Sequence, residues 1–129
     1  MSSKIANNYF HAAVIIQVPD LKKTLAYYAK NHGFEISFEW GESLECVVSK
    51  LGKNIHFHFA KNETGFSSNT TLYIFVHDVD SIYQSISEKN VKITNEIGNR
   101  DYGMRDFDIL DLNNNRLTFG TSIDLLADI

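Results

Sequence analysis

Tyr102-Gly103-Met104-Arg105-Asp106-Phe107-Asp108-Ile109-Leu110-Asp111-Leu112-Asn113-Asn114-Asn115-Arg116-Leu117-Thr118-Phe119-Gly120 is the stretch that decides the fold. Phe107 and Ile109, then Leu117 and Phe119, alternate with more polar residues. A period of two describes strands in a sheet with two unlike faces. Between them Asn113, Asn114 and Asn115 can bond their own backbone and tolerate left-handed dihedrals, so they turn the chain without glycine. The stretch therefore predicts a closing hairpin.

Working back towards the N-terminus, residues 71–76 form an apolar strand, with Leu72, Ile74 and Val76 on one face. Thr71, Tyr73 and Phe75 take the other face, where they line a cavity or pack against a second subunit. Asp78 is suited to cap a helix whose stripe is Val79, Ile82 and Ile86, ending at Asn90. A short strand follows over residues 91–93. The first half reads the same way. Residues 12–18 are a strand, Asp20 a cap, and Leu21, Leu25 and Tyr28 one helix face, with Gly33 as the stop. Residues 34–40 alternate strictly, which predicts Phe34, Ile36, Phe38 and Trp40 on one face. Residues 44–49 and 54–60 read as a hairpin, with Phe57 and Phe59 on one side and His56 and His58 on the other. Superposing Val18-Pro19-Asp20-Leu21 on Val76-His77-Asp78-Val79 aligns strand, cap and helix, so the chain reads as a duplicated βαβββ module. The organisation predicted is one domain of 1–129: module one 11–60, a Gly/Ser-containing linker 61–69, module two 70–120 and a tail 121–129.

The chain has 129 residues, 43% of them hydrophobic and 22% charged, as in globular proteins that bury a core. No apolar run is long enough to cross a bilayer, and residues 1–10 lack the apolar centre of a secretion signal. Cys46, the single cysteine, has no partner for an internal disulfide, and a cytoplasmic location is the default expectation. Its mid-strand place predicts a buried structural thiol. The net charge is −4 and the basic residues are scattered, which argues against nucleic acid as a partner. Nucleophile elbows, phosphate loops and Cys-x-x-Cys pairs are absent from the sequence.

Val18-Pro19-Asp20-Leu21, Tyr27-Tyr28, Gly33-Phe34-Glu35, Phe75-Val76-His77-Asp78-Val79-Asp80 and the closing hairpin occur in one order over residues 12–120. Together they resemble the glyoxalase/bleomycin-resistance/dioxygenase (vicinal oxygen chelate) superfamily, most of all its bleomycin-resistance branch. His32 stands where leucine is usual, and Leu112 and Asn114 where proline and glycine are usual. The resemblance implies an α+β fold of two paired βαβββ modules, eight strands cupped around a ligand with helices outside. It also implies a homodimer with sites at the subunit boundary.

Catalytic members hold a divalent metal at inward strand positions. Carried over, three of those positions read Ala13, Thr71 and Thr118, and the fourth falls near His56 or His58. Alanine cannot ligate, and neutral threonine is a poor ligand for such an ion. The reading is thus a metal-free binder, without cofactor or catalytic residue, holding a flat aromatic or cationic small molecule. Its candidate contacts are Phe38, Trp40, His56, His58, Tyr73, Phe75, Tyr102, Met104 and Arg105. Phe38 and Trp40 reach the ligand only if their strand twists or bulges. Arg105 either pairs with Asp106 or Asp108 or holds an anionic group. The alternative is a metal-dependent lyase or dioxygenase using Zn, Ni, Mn or Fe on His56 and His58, with His11, Glu45 or Asp108 as third ligand. His32 and His77 have ordinary roles at a helix end and a surface corner.

Overall fold

The computed structural model describes residues 2–41, 46–62, 64 and 69–124. The chain divides into two units, Met1–Ala29 with Gly33–Phe66, and Lys30–His32 with Ser67–Ile129.

In the first unit a short helix α1 (Ser2–Ala6), not foreseen in the sequence, precedes β1 (Val14–Val18), α2 (Leu21–His32), β2 (Glu35–Trp40), β3 (Cys46–Leu51) and β4 (Ile55–Lys61). The strands form one sheet in the order β1-β4-β3-β2, with β1 parallel to β4 and the rest antiparallel. Asp20 caps α2 by accepting from the Lys23 amide at 3.0 Å. Gly33 ends it at φ 74°, a left-handed turn that costs glycine little. The helix buries Leu21, Thr24 and Tyr28, while Leu25 is only half-buried. Thr24 tolerates burial because its hydroxyl donates to the Asp20 carbonyl at 2.8 Å. Tyr28 meets Phe34, Phe57 and Phe59 at ring distances of 4.9–5.6 Å, the aromatic centre of this core. Burying each such ring contributes about 1.5–3 kcal/mol.

The expected common face of Phe34, Ile36, Phe38 and Trp40 does not form. Phe34 precedes β2 and is buried. A bulge then falls between Ile36, opposite buried Ser49, and Phe38, opposite Val48. The extra residue, Ser37, switches the face, so Phe38 and Trp40 leave the helix side.

The second unit repeats the arrangement: β5 (Thr71–Phe75), α3 (Val79–Ser87), β6 (Lys92–Asn99), β7 (Met104–Leu110) and β8 (Arg116–Ser122), in the order β5-β8-β7-β6. Both halves are βαβββ modules, an α+β fold of eight strands in two four-stranded sheets. Asp78 caps α3 through the Ser81 amide at 3.2 Å. The helix stops at Ser87, before Asn90, and β6 is much longer than the strand expected over 91–93. Val79, Ile86, Ile74, Phe107, Ile109, Leu117 and Phe119 make the core. Thr121 locks β8 to the neighbouring connection, donating to the Val76 carbonyl at 2.8 Å and accepting from the Val79 amide at 3.2 Å.

The β7–β8 turn forms on the asparagines, with Asn114 at φ 65°. Asp111, buried, accepts from the amides of Asn113 and Asn115 at 2.8 Å and from the Asn115 side chain at 3.0 Å. Asn115 in turn accepts from the Thr70 amide at 2.9 Å, which fixes the entry to β5. The expected linker and tail lie partly outside the described residues. Among the described residues no helix is long and apolar enough to cross a membrane.

Candidate ligand-binding site

The strand alternation that builds the second core also builds its open face. Register places Asn95, Asp108, Thr118 and Tyr73 in one row across β6, β7, β8 and β5, and Gly98, Asp106, Gly120 and Phe75 in the next. A cavity of about 480 Å³ opens on this face. Its lining includes the expected Tyr73, Phe75, Tyr102 and Met104, together with Thr71 and Thr118. Phe75 is 70% exposed, and its ring lies 4.9 Å from that of Tyr73. Aromatic side chains left uncovered on a concave face are the usual wall of a small-molecule site.

Beneath the rings lies a charged cluster that local sequence patterns do not reveal. Asp106 is 1% exposed. Tyr73 Oη donates to its Oδ2 at 2.8 Å, and Tyr102 Oη donates to the same oxygen at short range. Arg100 Nε reaches Oδ1 at 2.8 Å, while Arg100 Nη2 donates to the carbonyls of Asp106 and Glu96 at 2.9 and 2.6 Å. Burial alone would raise the Asp106 pKa. The hydrogen bonds from Tyr102, Arg100 and Tyr73 outweigh it and hold the carboxyl below the usual range. Burial and the bond to this carboxylate push the Tyr73 phenol up. The bond to Asp106 and burial do the same to Tyr102. Both phenols thus stay neutral and are held by one fixed anion, which sets the angle of two cavity walls.

Gly120 makes this possible. A Cβ there would collide with Tyr73 Oη. A glycine inside a strand signals such a close approach, and that signal was available in the sequence.

Arg105 stands elsewhere. Its guanidinium holds Asp80 of α3 at 2.8 Å, and its Nη1 reaches Asn99 at 3.1 Å. Neither Asp106 nor Asp108 is its partner, and it is not in the cavity lining. Asp80 competes successfully because Arg105 pairs in register with Thr121, on the opposite face from Met104 and Asp106.

Phe38, Trp40, His56 and His58 belong to the first unit. Phe38, Val48, His58 and Ile15 form one row across its sheet, and Trp40, Cys46, Ala60 and Gln17 the next. This is the face away from the Tyr28 core. Ile15, Phe38 and Trp40 are 66%, 56% and 59% exposed there. Cys46 is half-buried beside Trp40 rather than in the core. His56 Nε2 donates to the Lys53 carbonyl at 2.8 Å, and the ring stacks on His11 at 4.6 Å. Any lone pair His56 offers a cation is therefore on Nδ1. Of the three positions the resemblance aligns with metal ligands, Ala13 precedes β1, whereas Thr71 and Thr118 line the cavity of the second unit. Glu45 lies outside the described residues. Among those described, no three His, Cys, Asp or Glu side chains gather as a metal site.

Paired βαβββ modules with an open, ring-lined sheet face define a class of small α+β proteins. A sequence profile of the Glyoxalase/Bleomycin resistance protein/Dioxygenase superfamily matches residues 9–119, and the chain belongs to that superfamily. Among solved structures, TioX from Micromonospora sp. ML1 superposes with a TM-score of 0.78 at 14% identity, over 88% of this chain and 99% of that one. The bleomycin-binding protein of bleomycin-producing Streptomyces verticillus, complexed with copper(II)-bleomycin, gives 0.68 at 20% identity, over 86% and 94%. Lactoylglutathione lyase from Agrobacterium tumefaciens gives 0.71 at 15% identity, over 88% and 94%. At these identities the likeness is one of fold. No curated protein matches the sequence.

Proposed function

We propose that this chain is a binding protein of the bleomycin-resistance kind. It captures an aromatic or cationic small molecule without a metal, in a cleft completed by a second copy of the chain. The observation that carries this reading is the cavity walled by Tyr73, Phe75 and Tyr102, with two of the rings clamped from below by Asp106. Preorganised rings bind by stacking and apolar burial at low entropic cost. The structural neighbour that carries bleomycin supports the same direction. So do Thr71 and Thr118, poor ligands at two places where catalytic members of the family bind their ion. Sequestration alone lowers free ligand, so no chemical step is required.

Calorimetric titration with metal-free bleomycin tests the reading. Saturation near one site per subunit, lost in Phe75→Ala, is the expected result. Heat that never saturates, or that is unchanged by Phe75→Ala, rejects it. Light scattering checks for the dimer, and a monomer at binding concentrations rejects the shared cleft. The competing reading is a metal enzyme on His56 and His58, favoured by their common face on β4. Elemental analysis of untagged protein separates the two, because stoichiometric Zn, Ni, Mn or Fe that disappears in His58→Ala supports the enzyme.

A further inference from the structure

Of the four hydroxyls in the cavity lining, only that of Thr71 has no hydrogen bond to a described residue, and the other three are committed. Tyr73 and Tyr102 both donate to Asp106, and Thr118 Oγ1 donates to Asp108 Oδ1 at 2.6 Å. Two charged groups of the lining are not. Asp108 Oδ2 has no hydrogen bond to a described residue, and no buried side-chain oxygen lacks a partner among them, so Oδ2 is open to solvent. The guanidinium of Arg116 has no ion pair or hydrogen bond to a described residue. Both residues line the cavity.

Register fixes their relation. Asp108 faces Thr118, and Arg116 lies two residues before Thr118 on the same face of β8. They are diagonal neighbours on adjacent strands, with Cα atoms about 7–8 Å apart in such pairs. Yet no ion pair joins them. The row that holds Asp108 continues through Thr118 to the ring of Tyr73, and the row that holds Arg116 continues to Thr71. The cavity therefore presents one acceptor-only anion, one donor-only cation and aromatic faces beside them.

We infer that the cavity selects a zwitterionic aromatic molecule: an ammonium or amidinium on Asp108 Oδ2, a carboxylate on Arg116, and the ring against Tyr73 and Phe75. This rests on the binding reading above and gives it a ligand class. Arg116 suits the task because its planar fork accepts a carboxylate with two parallel bonds. Asp108 suits it because Thr118 fixes the carboxylate orientation without neutralising its charge.

The test uses one ring in four charge states: indole, tryptamine, indole-3-propionate and tryptophan, titrated at millimolar concentration into the full ¹⁵N-labelled chain. Tryptophan should bind tightest and indole weakest, each charge adding roughly tenfold. Asp108→Asn should lower tryptamine and tryptophan by about that factor and leave indole-3-propionate unchanged. Arg116→Gln should lower indole-3-propionate and tryptophan by about that factor and leave tryptamine unchanged. If Asp108→Asn does not fold, the Arg116→Gln arm decides alone, by whether the advantage of indole-3-propionate over indole disappears. Four equal affinities, or an unchanged order in both variants, overturn the charge assignment and leave the aromatic cavity standing. No shift at Tyr73 or Phe75 with any indole, while bleomycin does shift them, overturns this inference only. No shift with either overturns it together with the binding reading.

Discussion

Gly120 lies directly beneath the phenol of Tyr73, so close that a Cβ on it would sit 2.7 Å from Tyr73 Cζ. The one absent methyl lets Tyr73 fold down onto Asp106. Gly120→Ala is expected to displace that ring and cost about 1–3 kcal/mol, the range for overpacking. Tyr73→Ala in the same chain should remove most of the added penalty. Urea denaturation of the two single variants and the double variant measures the coupling. Additive losses would mean that the ring relaxes without cost.

Asp106 serves three donors at once, so truncation and isosteric replacement should differ. Asp106→Ala strands the Arg100 charge and both phenols and is expected to cost about 2–4 kcal/mol. Asp106→Asn keeps an acceptor for a phenol and should cost less. The linkage sign follows from the lowered carboxyl pKa. The unfolded group titrates near 3.9 and the folded one lower, so this stability is present above about pH 4 and is lost as pH falls through the folded value. Denaturant midpoints between pH 2 and 6 check it, since Asp106→Asn should flatten the acid limb.

His32 gives a second window at milder pH. Burial first, then the charge of Lys89, push its imidazole down to about 4, against an opposing pull from Asp111. Its ring lies 6.1 Å from that of Phe119. The unfolded ring takes its proton near pH 6.5 and the folded one only near 4. Stability from this group is therefore complete above pH 6.5 and falls between 6.5 and 4, by on the order of 2–3 kcal/mol. His32→Gln should remove that slope and leave the Asp106 limb in place. A slope unchanged in His32→Gln would assign it to other histidines.

The turn at Asn114 is testable by backbone chemistry alone. At φ 65° a β-branched side chain is strained, so Asn114→Val should cost about 1–2 kcal/mol. Asn114→Gly should be neutral or mildly stabilising. Thermal unfolding of both variants decides, and equal midpoints would contradict the left-handed conformation.

How much of this was legible beforehand follows from the range of each interaction. The caps Asp20 and Asp78, the stop at Gly33 and the asparagine turn act within four residues, and the sequence displays them. The split of Thr71, Tyr73 and Phe75 from Ile74 follows from period-two alternation. The cluster beneath the rings does not, because Asp106 meets Tyr73 from 33 residues away and Arg100 across the Gly103 turn. The pairing of Arg105 is hidden for the same reason: its partner Asp80 is 25 residues distant, while Asp106 and Asp108, the partners the sequence offers, stand beside it.

The face of Trp40 is the subtlest case, and deleting Ser37 resolves it. Strict alternation from Phe34 to Trp40 describes a flat strand, but Ile36 opposes Ser49 and Phe38 opposes the adjacent Val48. Ser37 is thus an inserted residue, and without it the same two pairings are consecutive in a regular ladder. The deletion should leave Trp40 opposite Cys46 on the open face and keep its quenching by acrylamide high. It should also be tolerated, since the bulge lies on an edge strand whose residues are all exposed. A slipped register would instead carry Trp40 towards the side of Phe57 and Phe59, with a blue-shifted, protected emission. That outcome would show that Ser37 holds the register rather than merely interrupting it.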